Sequence, residues 1–178
     1  AEPLALDTLA AAGVPAARTR VLDHAGQRFL EVERFDRVGA HGRRGLVSLT
    51  ALDAEFVGAG TGGWPTIARQ LAASGRIPAG ACATVDLLWA YGALIGNTDM
   101  HGGNLSFITE RGRPCELAPA YDMTTMGFAP RSGGGLPEGL GEATIRADIA
   151  PATWRTAERL AHAFLARIRT AHGFSARS

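Results

Sequence analysis

Lysine is absent from this 178-residue sequence, and all 18 of its basic residues are arginine. A mechanism that needs a catalytic or nucleotide-binding lysine is therefore incomplete within these residues. The abundance of alanine and arginine fits a GC-rich genome. Cysteine is scarce too. Cys82 and Cys115 stand alone, at a spacing that no zinc site uses, and read as inert thiols of a reducing cytosol. Long apolar runs are missing: the best stretch, Leu87 to Gly96, follows Asp86 and falls well short of the ~20 residues that a spanning helix needs. The opening AEPLALD has neither a basic n-region nor an apolar stretch, so it is not a secretory signal. It also lacks an initiator Met, which points to processing or truncation. Neither sign of charge dominates. The net charge is +1 with the signs well mixed, and no basic stripe for direct nucleic-acid binding is present. These absences together give the expectation of a cytoplasmic chain with no membrane contact.

What is present suits one folded domain, since 46% of the residues are hydrophobic and 20% charged. Pro3 to Ala12 reads as a short helix, with Gly13 at its C′ position and Pro15 as a stop. Ala17 to Leu22 and Arg28 to Phe35 read as two strands around a turn at His24 to Gln27. A basic, glycine-containing loop (Ala40 to Gly45) leads to Leu46–Leu49 and a helix at Ala51 to Phe56. Pro65 suits the first position of a helix to Ala73. Ala79 to Ile95 is apolar on nearly every face, which places that helix inside the domain. Strands at Leu105 to Thr109 and Cys115 to Ala118 predict a central hairpin. Phe128 to Gly141, rich in Gly and Pro, reads as a mobile loop. Pro151 to Thr170 is amphipathic, with Trp154, Ala157, Leu160, Ala161, Phe164, Leu165 and Ile168 at helical spacing and Gly173 as its stop. The expected class is α+β.

The segment carrying chemistry is LIGNTDMHGGNLSFI, Leu94 to Ile108. A buried helix runs into a loop dense in Asn, Thr, Asp, His and Gly, and a strand leaves it. Asp99 and Asn104 have the D-x-x-x-x-N spacing of a kinase catalytic loop. An Asp there accepts the proton of a phosphate-accepting hydroxyl, and an Asn one turn later offers a neutral oxygen to magnesium. Asp122, in APAYDMTT, follows the predicted hairpin as a charged magnesium ligand, with Tyr121 packing beside it as an anchor. Each feature alone has a plainer reading. Asn-Thr-Asp makes a good helix-terminal turn, His101 a loop hydrogen bond, and Asp122 a cap for Met123 to Met126. The order of buried helix, D-x-x-x-x-N, hairpin and Y-D is what favours chemistry.

The strings VERFDR (Val32 to Arg37), IGNTDMHGGNLSF (Ile95 to Phe107) and LAPAYDMTT (Leu117 to Thr125) resemble, in order and spacing, the HipA family of bacterial toxin kinases. The resemblance implies a protein-kinase-like C-terminal lobe, mainly helical with a central β-hairpin. It divides the chain into residues 1–37, the end of a small lobe with a hinge-forming hairpin, and residues 38–178, the helical lobe. It makes Asp99 the catalytic base, with His101 near the phosphates, and gives magnesium to Asn104 and Asp122. Glu33, Arg34 and Phe35 become the hinge that meets the adenine of ATP. The family phosphorylates protein serine and threonine hydroxyls, aminoacyl-tRNA synthetases among its targets, and is often restrained by a DNA-binding antitoxin. Its phosphate-gripping loop and nucleotide lysine precede the hinge, but here the residues before Glu33 hold neither. The expectation is that the N-terminal lobe is absent from this chain and that the chain alone is inactive.

Two further readings stand beside this one. The chain is a non-catalytic pseudokinase or binding module that keeps the fold, or a metal-dependent phosphohydrolase using the same carboxylates. Gly58 to Gly63 formally matches G-x-G-x-x-G, but it lacks a firm preceding strand and falls after the hinge, so a flexible surface loop is expected there. Arg43 and Arg44 read as a solvated pair, and His24, His41, His162 and His172 show no metal-ligand spacing.

Overall fold

The structure is a computed structural model that describes residues 1–130, 134–135 and 143–171. Five α-helices and small antiparallel sheets make a mixed α/β fold among these residues. Helix α1 (Glu2–Ala11) buries Ala5, Leu6 and Leu9, and Gly13 follows at φ +79°, the left-handed conformation predicted for that stop. Strands β1 (Thr19–His24) and β2 (Gln27–Val32) pair with Val21 opposite Leu30 and Leu22 opposite Phe29. Ala25 and Gly26 both have positive φ, as a two-residue primed turn requires.

The second strand ends earlier than its alternation predicts. Arg34 clamps Asp36 through two bonds of 2.7 and 2.6 Å, and this pair turns the chain at Phe35. The basic loop after it contains a short ribbon, β3 (Arg37–Val38) against β4 (Gly42–Arg43), where no strand was expected.

Strand β5 (Leu46–Ser48) joins the predicted central hairpin of β6 (Ser106–Ile108) and β7 (Glu116–Leu117) to make a three-stranded sheet in the order β5-β6-β7. Ser48 then caps helix α2 (Leu49–Phe56) by accepting the Ala51 N–H at 3.2 Å. Helix α3 (Gly63–Ala73) starts two residues before the expected Pro65, whose missing N–H is still harmless in the first turn.

Helix α4 (Ala81–Leu94) is apolar on nearly every face because α3 and α5 (Pro151–Thr170) both pack on it, and its Asp86 pairs with Arg69 of α3. Tyr91, wholly buried on α4, donates its hydroxyl to the Ala5 carbonyl and sits edge-on to Phe164 of α5. Burial pushes its phenol pKa well above the ordinary tyrosine value. Helix α5 buries Ala157, Leu160 and Phe164 along the predicted stripe, while Leu165 stays exposed. Cys82 and Cys115 are free thiols, as expected. Among the described residues no helix is long and apolar enough to cross a membrane. The stop at Gly173 and most of the Phe128–Gly141 loop lie outside the described residues.

Candidate phosphoryl-transfer site

Helix α4 ends at Leu94, and Gly96, at φ +74°, turns the chain into the polar loop. That loop is organised by its own side chains. Asn97, buried, accepts the Asp99 N–H on its side-chain oxygen at 3.0 Å and points its amide at the Met123 sulfur. The Asn104 amide donates to the Asp99 carbonyl at 3.0 Å, which closes the D-x-x-x-x-N span into a ring. With its NH2 so engaged, Asn104 presents its oxygen as the remaining ligand atom.

His101 accepts the Gly103 N–H at Nδ1, 3.0 Å away, so in the neutral ring the proton sits on Nε2. Nε2 lies 3.9 Å from the Asp99 carboxylate, and both side chains are more than half exposed. Glycine is demanded twice here. A Cβ on Gly103 would meet the His101 ring at 2.7 Å, and one on Gly102 would meet the Thr50 hydroxyl at 2.7 Å and its backbone N at 3.1 Å.

The loop is fastened from three directions. Trp64 of α3, almost fully buried, donates its indole N–H to the His101 carbonyl at 2.9 Å. Thr50 at the start of α2 packs against Gly102. Tyr121, beyond the hairpin, donates to the Gly103 carbonyl at 2.7 Å and lies 2.6 Å from the Ser106 hydroxyl. Because the phenol has one proton and the carbonyl can only accept, Ser106 is the donor in that second bond. Burial raises the Tyr121 pKa, with Ser106 opposing the shift. The hairpin thus returns Tyr121, the neighbour of Asp122, to Gly103, the neighbour of Asn104.

Asp122 is half-buried and holds a left-handed backbone at φ +53°. Its carboxylate accepts only a long bond, 3.4 Å, from Thr124. In a chain rich in arginine, no guanidinium among the described residues lies within ion-pair distance of Asp99 or Asp122. Asp122 offers a carboxylate and Asn104 an amide oxygen, both hard donors of the kind magnesium takes. No group of three His, Cys, Asp or Glu side chains that could hold a metal gathers among the described residues.

The hinge triplet is placed unevenly. Phe35 is half-buried and its ring sits 5.8 Å from that of Tyr121. Glu33 and Arg34 are exposed, and the Arg34 guanidinium is already committed to Asp36. A cleft of about 710 Å³ opens beside the loop, lined by Asp99, His101, Thr98, Trp89, Phe128 and Thr144 among others. Asn104, Asp122 and the triplet Glu33 to Phe35 do not line it.

Gly58 to Gly63 carries no phosphate role of its own. The Asp53 carboxylate accepts the Ala59 and Gly60 N–H groups at 2.9 and 2.8 Å, filling the place an anion would take. Arg146 also binds the Gly62 carbonyl, so the segment is a tied turn and not the flexible loop expected. Asp53, Trp64 and Glu2 (whose carboxylate meets Thr124 beside Asp122) have no motif around them that marks them for these tasks.

Comparison with known proteins gives the chain a family and a fold. The family model for the HipA-like C-terminal domain matches residues 1–173. Toxin YjjJ of Escherichia coli (strain K12) is 38% identical over 165 residues, covering 92% of this chain and 37% of that protein. A chain of the solved complex of the Shewanella oneidensis MR-1 toxin–antitoxin proteins HipA and HipB with operator DNA superposes with a TM-score of 0.68. It is 19% identical and the match covers 99% of this chain and 50% of that one, a likeness of fold. The chain therefore spans half or less of the length of these relatives. On the family model, which spans nearly all of its residues, the chain belongs to the HipA-like C-terminal domain family.

Proposed function

We propose that this chain is the catalytic lobe of an ATP- and magnesium-dependent protein serine/threonine kinase, the toxin of a toxin–antitoxin pair. The observation carrying the proposal is the closed Asp99–Asn104 loop, in which the Asn104 amide is spent on the Asp99 carbonyl while the Asp99 carboxylate stays free at the cleft. Asp99 takes the proton of the acceptor hydroxyl as that oxygen bonds to the terminal phosphorus of ATP, whose bond to the ADP oxygen breaks. His101, with hydrogen on Nε2, holds the face of Asp99 turned to the phosphates. Asn104 and Asp122 are the residues that would hold magnesium, which would supply charge neutralisation at the phosphates.

Under this reading the lobe is kinase-like, with residues 1–37 as the end of the small lobe and the hinge and 38–178 as the helical lobe, on whose α4 and α5 helix α1 packs. The β1–β2 hairpin supports the division. Val21, Leu30 and Val32 share one of its faces and are 38–46% exposed, an apolar surface that suits a neighbouring lobe from the rest of the intact protein. That lobe supplies the lysine and phosphate loop, and Glu33 to Phe35 meet adenine. The acceptor is a protein hydroxyl, with an aminoacyl-tRNA synthetase as the leading class, and the restraining partner is a DNA-binding antitoxin in the cytoplasm.

The test is transfer of labelled phosphate from ATP by the full chain as its gene encodes it. Replacing Asp99 by Asn lowers transfer by about 10²-fold or more, and unchanged turnover refutes the assignment. A non-catalytic binding module is the second reading, favoured by the absence of lysine. Magnesium-dependent phosphorylation by the full chain rules it out.

A further inference from the structure

The cleft beside the Asp99 loop has an apolar wall that the core does not use. Phe128 sits in a single 3-10 turn, Met126–Phe128, pinned by the Gly127 N–H to the Gly96 carbonyl at 2.8 Å. Its ring lies so close to Gly96 that a Cβ there would meet it at 2.6 Å, yet the residue stays 47% exposed. Trp89 and Leu94 of α4 and Met100 of the loop continue the apolar lining, and Met100 is pressed onto α4, where a Cβ on Gly92 would strike its sulfur. One exposed phenyl ring means little. A ring fixed in place and joined to three more apolar side chains makes a binding wall.

The charges of the cleft decide what it takes. Among the described residues the lining holds one carboxylate, Asp99, beside His101, and no arginine. The guanidinium of Arg146, 5.5 Å from the centre of the Trp89 ring, gives its N–H groups to Gly62, Thr66 and Asp148. A triphosphate or an acidic segment therefore finds no cation here, and a basic side chain would pair with Asp99 and occupy the base. A neutral hydroxyl with an apolar neighbour meets neither obstacle. The hydroxyl reaches Asp99, and the neighbour leaves water against the aromatic wall. We propose that this cleft is the acceptor subsite, and that Phe128, with Trp89 and Met100, selects a protein serine or threonine standing next to a large apolar residue. This rests on the reading of Asp99 as the base.

The experiment is transfer of labelled phosphate from ATP, by the full chain as its gene encodes it, to serine peptides that differ only in the residues flanking the serine. Leucine or phenylalanine flanks are expected to raise kcat/KM about tenfold over glycine flanks, and Phe128→Ala to bring that ratio to within about twofold of one. Phe128 lies outside the buried core, so its loss leaves the fold standing. Equal rates for all flanks, a preference for acidic or basic flanks, or an unchanged ratio in Phe128→Ala overturns the inference. The same peptides with a photoreactive benzophenone side chain beside the serine give a readout that needs no turnover. Label on Met100 or Phe128 is expected, and label elsewhere alone, or none, overturns the inference. The two levels separate. Transfer without an apolar preference sinks only the subsite, whereas label in the cleft without transfer to any peptide keeps the docking wall and counts against the kinase reading.

Discussion

Replacing Tyr121 by Phe removes one oxygen and leaves the ring on Phe35. The Gly103 carbonyl then loses its 2.7 Å donor, and the Ser106 hydroxyl, on a residue only 4% exposed, loses its 2.6 Å acceptor. Orphaning a buried polar group costs roughly 1–3 kcal/mol, and the easier burial of Phe offsets part of that, so a net loss of about 1–2 kcal/mol is expected. For a domain of this size that lowers Tm by about 2–8 °C. The measurement is thermal unfolding of parent and variant, with amide exchange at Gly103 and Asn104 as the local readout. Exchange there should quicken, since the clamp on the loop is gone. A second signature lies at alkaline pH. Because folding raises the Tyr121 pKa above its ordinary value of 10.0, the unfolded chain ionises first. Stability is full below that value and falls as pH rises through the folded pKa. Tyr91 adds a slope of the same sign, so the variant should show a shallower alkaline fall and not a flat one. A Tm within about 1 °C of the parent, with unchanged loop exchange, would refute the view that Tyr121 ties the hairpin to the loop.

Other outcomes follow from the same geometry. Asp53→Ala frees the Ala59 and Gly60 N–H groups and should cost about 1.5–3 kcal/mol in a denaturant titration, as expected for bonds to a charged acceptor. Gly102→Ala drives a methyl into the Thr50 backbone and should reduce phosphate transfer by the full chain more than it reduces Tm; a normal rate would contradict the tight fit. Arg146, with Arg69 adding to it, holds the Asp148 carboxyl below the ordinary carboxylate value. Its contribution is therefore complete above about pH 4 and lost as pH falls through the folded pKa, and Asp148→Asn should flatten that part of the acid limb in a pH-stability profile.

Much of this was legible in the sequence because the pattern was local. Helix α5 announces itself by its period, and α4 by being apolar on nearly every side before a sudden polar loop. The D-x-x-x-x-N span and the Y-D after the hairpin could be set in order from spacing alone. What escaped depended on distant partners. Strand alternation continues past Val32, but the Arg34–Asp36 clamp ends it. Strand β5 reads as an isolated apolar triplet until β6 arrives from about 60 residues further on to pair with it. Asp53 looks like any helix-end carboxylate until the glycine turn folds back over it. Glu2 offers no signal at all, since its neighbours Asp122 and Thr124 come from far along the chain.

The indole clamp on the loop has a practical side. Trp64 holds the His101 carbonyl, and Trp89, 5.8 Å away edge to face, borders the cleft. The sequence has only three tryptophans, and the third, Trp154, is anchored by the Arg146 carbonyl. Anything that enters the cleft or shifts the Asp99 loop must therefore change the surroundings of two of the three intrinsic fluorophores. The protein carries an optical gauge of its own site, readable without a label and before any substrate is known.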